Sequence, residues 1–174
     1  MAEQTLKDLL HHAMKDIYFA EKAILTALPK IIKAAHSGDL KEALEKHRQE
    51  TENHIKRLEQ GFGELGEKPE TTPCEAIKGI LKEGDEIIEK FGGSSVGDAG
   101  IAFACQAVEH YEINRYGSMH VWAKELGMDE LADLFHATLE EEYAADDGLT
   151  ALAEAALNMD DEKATAPKKR VAGR

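Results

Sequence analysis

Acidic side chains occur in this chain at positions where helical spacing places them among apolar residues. Between Leu10 and Ala35, apolar residues recur at every third or fourth position, and Glu21 stands among them near the middle. Residues at this spacing share one face of an α-helix, so we expect Glu21 to point into the core. The same pattern recurs in three later segments, whose acids are Glu50, Glu112 and Glu142. Because a carboxylate removed from water is costly unless a positive charge compensates it, these acids predict cations between them.

The chemistry that these residues predict is that of a metal pair. Carboxylates favour fairly hard cations, and an imidazole ligand adds a preference for iron, manganese or zinc over calcium or magnesium. The four glutamates supply four negative charges, which match two divalent ions. We therefore expect two metal ions as cofactors, with iron ahead of manganese or zinc. We expect Glu50 and Glu142 to bridge them, and Glu21 and Glu112 to bind one ion each. The predicted ligand set is completed by His54, Glu109 and Asp146.

The histidines and a tyrosine near these acids leave alternatives open. His54 follows Glu50 by one helical turn and is either a ligand or a hydrogen-bond partner of one, while His47, three residues before Glu50, competes for that role. Tyr116 follows Glu112 by one turn and is interpreted as a core aromatic, with hydrogen bonding to a ligand as the alternative. A single acid in a helical seam is more often partly hydrated than metal-bound. Acids in four separate seams favour a metal.

Four long amphipathic helices have to position these residues. The apolar periodicity predicts helices over about residues 6–36, 40–65, 96–126 and 129–158. Thr5 with Asp8 predicts the N-cap of the first helix, and Asp39 with Glu42 predicts an acidic capping box for the second.

The segment between the second and third long helices is about thirty residues long, which is too long for a tight turn. It contains helix signals of its own: Thr72 as N-cap, Pro73 at the first helical position, Glu75 in the first turn, and Gly92-Gly93 at the end. A short helix in this link allows the second and third long helices to run parallel. The predicted fold is therefore all-α, a four-helix bundle with a short extra helix in the crossover.

Composition restricts the class of protein further. The 174 residues carry 34 acidic and 21 basic side chains, a net charge of −13, which argues against nucleic acid as a partner because phosphate binding needs a basic face. No apolar run reaches the length of a membrane span, and no signal-peptide pattern is present, so we expect a cytoplasmic protein without membrane partners. Cys74 and Cys105 match no metal or redox spacing and are expected to be reduced thiols. Residues 1–159 are predicted to form the bundle domain, and residues 160–174 a flexible basic tail.

Four segments also carry a family resemblance. They are DIYFAEK (residues 16–22), HRQETENH (47–54), QAVEHYEINRYG (106–117) and TLEEEYAADDGL (138–149). In these segments the chain resembles the YciF-like family of stress-associated proteins in the ferritin-like superfamily. The resemblance implies a ferritin-like four-helix bundle with the extra crossover helix, a carboxylate-bridged two-metal site and a homodimer.

Two positions depart from the Glu-x-x-His pattern of ferritin and rubrerythrin sites. Asn53 and Ala145 stand where that pattern has histidine, and His54 and Asp146 follow one residue later. These neighbouring positions lie about 100° apart around a helix, so coordination and redox behaviour are expected to differ. The expected function is a dinuclear metal-binding stress protein with slow metal oxidation by peroxide or oxygen. The alternative is a non-catalytic helical stress-response protein with a vestigial or metal-free site, and whether the chain is an enzyme stays open.

Overall fold

Five helices make up the structure, a computed structural model that describes the backbone of residues 4–165 and the side chains of residues 4–155. In chain order they are α1 (Leu6–Ala34), α2 (Gly38–Leu65), α3 (Glu75–Phe91), α4 (Ser95–Glu125) and α5 (Asp129–Thr165). The four long helices begin within about two residues of their predicted starts, and α3 is the extra helix predicted in the crossover. The all-α architecture is confirmed: residues 4–165 contain no strand.

The four long helices form a closed ring in which α1 packs on α2, α2 on α5, α5 on α4 and α4 on α1. α2 and α4 therefore lie on a diagonal, and they run in the same direction. Two contacts along the two helices, and one from a residue two positions before α2, each join residues 62 positions apart, which only a parallel pair allows. These contacts are His36 with Asp98, His47 with Glu109, and His54 with Tyr116. The long crossover thus allows α2 and α4 to run parallel, as its length predicted.

The capping box predicted at the start of α1 is confirmed. The Thr5 hydroxyl accepts a hydrogen bond from the backbone N of Asp8 at 3.2 Å, and the Asp8 carboxylate accepts one from the backbone N of Thr5 at 2.8 Å. At α2 the prediction of Asp39 as N-cap is wrong. The helix begins at Gly38, and Ser37 is the N-cap, whose hydroxyl accepts from the backbone N of Leu40. A serine two residues upstream satisfies the same free N–H groups, so Asp39 lies inside the first turn.

The N-cap predicted for α3 is also wrong. Cys74 rather than Thr72 caps the helix, with its Sγ accepting a hydrogen bond from the backbone N of Ile77. Pro73 therefore precedes the helix instead of occupying its first position. The predicted end is confirmed, since Gly92 is the C-cap and Gly93 follows with a positive φ of 79°.

A short polar chain fastens the crossover to the bundle. The Cys74 Sγ lies 3.0 Å from the Tyr111 Oη, and the Tyr111 hydroxyl donates to Asp16 Oδ2 at 2.6 Å. The Arg115 guanidinium lies over the Tyr111 ring, 4.6 Å from its centroid. These contacts join the N-terminus of α3 to α4 and α1. Cys74 and Cys105 are both buried free thiols.

The core has a polar layer between two apolar regions. On α1, the buried residues Ile17 and Ile24 lie on either side of Glu21, and on α4 the apolar residues Val108 and Met119 flank the acidic positions. Most of the remaining buried side chains are aliphatic or aromatic. The polar side chains of this layer are therefore shielded from solvent by apolar side chains on both sides.

The described part of α5 reaches Thr165. The first residues of the predicted tail therefore continue the helix, while residues 166–174 of that tail lie outside the described residues. Among the helices that the structure describes, none is both long and apolar enough to cross a lipid bilayer.

Close packing of α2 against its neighbours at Gly61 gives a first prediction. A Cβ added at Gly61 would lie 2.7 Å from Leu131 Cδ1 and 3.1 Å from Met14 Cε, whereas one added at Gly63 has nothing within 4 Å. We expect Gly63→Ala to stabilise the protein by about 0.5–1 kcal/mol through helix propensity. We expect Gly61→Ala to be about 1–3 kcal/mol less stable than Gly63→Ala because Leu131 and Met14 are overpacked. Urea denaturation measures both variants, and equal stabilisation would contradict the close packing.

Candidate metal centre

Two overlapping groups of acidic and histidine side chains lie at the centre of the bundle. The inner cluster consists of Glu21, His54, Glu112 and Glu142, and the outer cluster consists of His47, Glu109, Glu112 and Glu142. Within each cluster, one potential ligand atom from every residue lies within 4.8 Å of the others. Glu112 and Glu142 belong to both clusters, so they stand between two positions at which an ion can bind.

The helices contribute unequally to the two clusters. α1 and α5 each supply one glutamate, α4 supplies two glutamates three positions apart, and α2 supplies two histidines seven positions apart. In that order the residues are Glu21, Glu142, Glu109 with Glu112, and His47 with His54. Three and seven positions are close to one and two helical turns, so each pair projects from a single helix face.

The register of α2 explains why its histidines, and not Glu50, enter the core. The buried face of this helix has Thr51 midway between the two histidines, and its members are Leu40, Leu44, His47, Thr51, His54 and Leu58. Glu50 lies beside this face, with its side chain 17% exposed and its Oε1 2.7 Å from the Lys46 Nζ. The structure therefore places Glu112, rather than Glu50, next to Glu142 between the clusters.

Asp146 likewise lies outside both clusters. Its carboxylate accepts a hydrogen bond from Gln106 at 3.1 Å and contacts His110 at 3.2 Å, between α4 and α5. The structure thus brings together five of the seven predicted ligands, which are Glu21, His54, Glu109, Glu112 and Glu142. It adds His47, which the sequence presented as a rival of His54 and which proves to be a member of the second cluster. The seven-residue spacing of the two histidines, about two helical turns, was the sequence signal that both lie on one face of α2.

The inner cluster is sealed from solvent. All four of its residues have 0% exposure. The His54 Nδ1 lies 3.0 Å from Glu142 Oε1 and 3.4 Å from Glu21 Oε1. The Tyr116 hydroxyl donates a hydrogen bond to Glu21 Oε1, which leaves the second oxygen of Glu21 without a partner. Tyr116 therefore contacts a predicted ligand directly and is more than a core aromatic.

An outer pair of residues fixes the His54 ring. The Nε2 of His54 donates to Glu141 Oε2 at 2.8 Å, and both oxygens of Glu141 are held by the Arg57 guanidinium at 2.6 and 2.8 Å. With Nε2 engaged in this way, Nδ1 is the nitrogen that faces the inner cluster, as in metal-binding histidines whose other nitrogen is hydrogen-bonded. Arg57 and Glu141 were not predicted; the signal for them was their position one turn after His54 and directly before Glu142.

The outer cluster lies nearer to the surface. His47 is 7% exposed and Glu109 is 2% exposed. Their closest atoms, the His47 Nε2 and the Glu109 Oε1, are 3.7 Å apart, which is too long for a hydrogen bond. Neither nitrogen of the His47 ring has a hydrogen-bond partner.

Buried polar atoms without hydrogen-bond partners are concentrated at this site. Among the described side chains, the only such atom outside the two clusters is the Nε2 of His11. Every residue of the two clusters contributes at least one, and both oxygens of Glu112 and of Glu142 are among them. Because an unsatisfied buried polar atom costs free energy, proteins pair nearly all of them. A concentration of this kind marks the two clusters as the part of the described core that could hold a metal ion.

Protons compensate the acids only in part. Burial, together with the neighbouring Glu142 and Glu21, raises the pKa values of Glu109 and Glu112 well above the ordinary range. Burial acts against protonation of His54, but the charges of Glu21 and Glu142 outweigh it and raise its pKa to about 11. Burial also acts to raise the pKa of Glu142, yet contact with His54 holds it below its ordinary value. Without a metal, the site thus retains protons where a cation would otherwise lie.

The donor set fits a pair of divalent ions. The two clusters together offer four carboxylates and two imidazoles, the same ligand count with which bundle cores hold di-iron and di-manganese centres. Four carboxylate charges neutralise two divalent cations, and mixed oxygen and imidazole ligation suits iron, manganese or zinc. The paired atoms converge from four helices, which closes the site on all sides.

Comparison with known proteins gives the family. Residues 5–162 match the family described as Domain of unknown function (DUF892). The chain belongs to this family. Protein YciF of Escherichia coli (strain K12) is 38% identical over 154 residues, which cover 88% of this chain and 93% of that protein. The predicted YciF-like resemblance is therefore confirmed.

Solved structures of DUF892 relatives have the same bundle. The crystal structure of the E. coli stress protein YciF matches with a TM-score of 0.86 at 37% identity, covering 90% of this chain and 99% of that one. YcfI from Rhodopseudomonas palustris matches with a TM-score of 0.82 at 46% identity, covering 84% and 94%. A two-domain Anabaena variabilis protein with dj-1/thij/pfpi-like and ferritin-like domains matches with a TM-score of 0.55 at 18% identity over 99% of this chain and 42% of that one. The last match concerns the fold alone, and the ferritin-like bundle is confirmed.

The pKa shifts of the cluster residues predict how the stability of the metal-free protein responds to pH. The raised pKa values of His54, Glu109 and Glu112 mean that the folded state holds protons that the unfolded state releases. Stability is therefore lost as pH rises above the ordinary value of each group, by up to about 1.4 kcal/mol per pH unit and retained proton. We expect the chelator-treated protein to melt at a lower temperature at pH 9 than at pH 6.5. Circular dichroism melts measure this, with His54→Gln reducing the slope and His12→Gln, an exposed histidine, preserving it. A melting temperature that rises with pH would contradict the assignment.

The support of His54 by Glu141 gives a third prediction. Glu141→Gln keeps the shape of the side chain but removes the charge that orients the His54 ring and pairs with Arg57. We expect the affinity for Co²⁺, measured by isothermal titration calorimetry, to fall about 10- to 100-fold, as for other residues that orient metal-binding histidines. Glu140→Gln is the matched control, because Glu140 is adjacent and exposed. Equal affinities of the two variants would show that Glu141 has no orienting role.

Proposed function

We propose that this DUF892 chain binds two divalent metal ions as a carboxylate-bridged dinuclear centre and acts as a ferritin-like stress protein. Its relative YciF is described as a stress protein. Iron is the first candidate, followed by manganese and zinc. The observation that carries the proposal is the concentration of unpartnered buried nitrogen and oxygen atoms in the two clusters. Metal ions compensate both the missing hydrogen bonds and the surplus negative charge.

The two clusters define the roles of the residues. Glu112 and Glu142 belong to both clusters and would hold both ions, in place of the sequence-predicted pair Glu50 and Glu142. Glu21 and His54 complete the inner position, and His47 and Glu109 complete the outer one. Bound iron or manganese would supply redox chemistry toward peroxide or oxygen. The chain itself holds the ligands at fixed positions, excludes water from the inner position and hydrogen-bonds Glu21 through Tyr116.

Slow reaction with peroxide or oxygen is part of this proposal, and so are a cytoplasmic location and a homodimer. The burial of the inner cluster supports slow chemistry, because reactants have to pass through a tightly packed core. The homodimer is tested by light scattering after size-exclusion chromatography, in which a mass near 19.2 kDa would indicate a monomer.

The protons that the buried acids retain support a second candidate function. If protons alone compensate the acids, the chain is a non-catalytic helical stress-response protein with a metal-free site, and Glu109 and Glu112 share protons with their neighbours. The raised pKa values of both carboxyls favour this state whenever metal is absent. The two functions differ in one measurable property, which is whether the melting temperature depends on metal.

Metal content and thermal stability test the proposed function. We expect protein purified without chelator, then saturated with Fe²⁺ under anaerobic conditions, to bind two ions per chain by mass spectrometry of its metal content. At a free concentration about 100 times the dissociation constant, binding stabilises by about 2.7 kcal/mol. For a chain of this size this raises the melting temperature by roughly 5–10 °C. Glu112→Gln removes a shared ligand and should reduce the stoichiometry to one or less.

Asp146→Asn is the matched control for this experiment. It also neutralises one acid in a sequence-predicted ligand position, but Asp146 lies outside both clusters, so two ions should still bind. Loss of an ion in Asp146→Asn would show that the cluster geometry assigns the ligands wrongly. An unchanged melting temperature with Fe²⁺, Mn²⁺ and Zn²⁺ would leave the metal-free function as the correct one.

A further inference from the structure

An opening in the protein surface leads to the outer cluster. It is a cavity of about 40 Å³ between α2, α4 and α5, bounded by Ala43, Lys46, His47, Glu50, Glu109 and Ala145 among others. At the roughly 10–15 Å³ that one water molecule requires, the cavity has room for about three. It therefore has room for a partly hydrated cation but not for a drug-sized organic molecule.

Two side chains at the inner end of this opening point to a cation. His47 and Glu109 are both more than nine-tenths buried, and both line the cavity. The two ring nitrogens of His47 and the Oε2 of Glu109 have no hydrogen-bond partner. An imidazole and a carboxyl group that line one small cavity are suitable ligands for a divalent transition-metal ion.

Glu50 stands at the outer end of the same opening. Its carboxylate is 17% exposed and lies 2.7 Å from the Nζ of Lys46, which is itself 64% exposed. The pair is of the (i, i+4) kind and its Lys46 end is well exposed, so it contributes little to stability, because water screens the lysine and two long side chains lose freedom. A divalent cation arriving from solvent can therefore replace Lys46 on Glu50 at small cost.

We propose that divalent cations reach the centre through this opening, that Glu50 receives them at its mouth, and that they pass from Glu50 to His47 and Glu109. The inner position is filled by way of the outer one, because its residues are fully buried and share Glu112 and Glu142 with the outer cluster. Lys46 holds Glu50 in place when no cation is present and lowers the attraction of the mouth for cations. This proposal rests on the proposed function, since it concerns how the same centre is loaded.

The rate of Co²⁺ binding tests the route, read from the visible absorption of bound Co²⁺ in a stopped-flow mixer. Glu50→Gln removes the receiving charge and should slow binding about 10-fold, at the lower end of what local charge does to association rates. Lys46→Gln should have the opposite sign and speed binding at low ionic strength. Glu86→Gln is the control, because Glu86 also forms an (i, i+4) pair with a lysine, Lys90 on α3, away from the opening, although that pair is longer at 3.9 Å and more exposed. Its rate should equal that of the wild type.

A steric variant tests the same route without changing charge. Ala145 lines the opening, whereas its neighbour Ala144 is exposed. Ala145→Phe should slow Co²⁺ binding, and Ala144→Phe should leave it unchanged. Circular dichroism melts establish whether each variant is folded; if Ala145→Phe is not, the rates of the two charge variants decide.

The outcomes separate the route from the function. If the wild-type protein binds no Co²⁺ at equilibrium, the proposed function fails, and the route fails with it. If two ions bind but Glu50→Gln and Lys46→Gln load at the wild-type rate, the route is wrong and the function stands. If Glu50→Gln binds at the normal rate but holds only one ion, Glu50 is a permanent ligand rather than a receiving group, which also overturns the proposal.

Discussion

Uncompensated negative charge at the centre of the bundle is the constraint on which the rest of the structure depends. Four carboxyl groups from three helices meet two imidazoles from a fourth in a volume that solvent barely reaches. The guanidinium of Arg57 pairs with Glu141 instead of with the clusters. Among the described residues, hydrogen bonds from outside the clusters reach only Glu21, through Tyr116, and the far side of His54. Within the inner cluster, the His54 Nδ1 lies 3.0 Å from Glu142 Oε1. A sequence that maintains this arrangement forgoes the stability of an apolar core at that level, and the proposed metal ions would recover it.

The ligand count is that of ferritin-like centres, but its distribution among the helices is different. Bundle sites of that class take a glutamate and a histidine one turn apart from each of two helices. Here α2 supplies both histidines and no carboxylate, while α4 supplies Glu109 and Glu112 and no histidine. The positions of His47 and His54, about two turns apart, replace the symmetric pair. Each position still has one imidazole, because the parallel α2 and α4 place His47 beside Glu109 and His54 beside Tyr116.

The sequence predicted the helices and the polar layer well, because both depend on local periodicity. It predicted individual ligands less well, because neighbouring helical positions differ by only about 100°. Glu50 and Thr51 illustrate the limit. A seam through Glu50 puts an acid between the two histidines and is chemically better, yet Leu40 and Leu44 fit the seam through Thr51, and packing selects the latter. The cap errors at Ser37 and Cys74 have the same origin, since any side chain that accepts a hydrogen bond within two residues can end a helix.

The position of Glu50 beside the buried face also gives the two clusters different environments. Thr51 fills the seam between the histidines with a small side chain whose hydroxyl donates to the carbonyl of His47. The acid that would otherwise enter the core is displaced to the rim, next to Lys46. As a result, the inner position is surrounded by fully buried groups, while the outer position adjoins a cavity with a charged rim. Two ions bound there would differ in solvent access, and hence in exchange rate and reactivity, although they share two carboxylates. This asymmetry follows from the register of α2, which turns Thr51 rather than Glu50 toward the core.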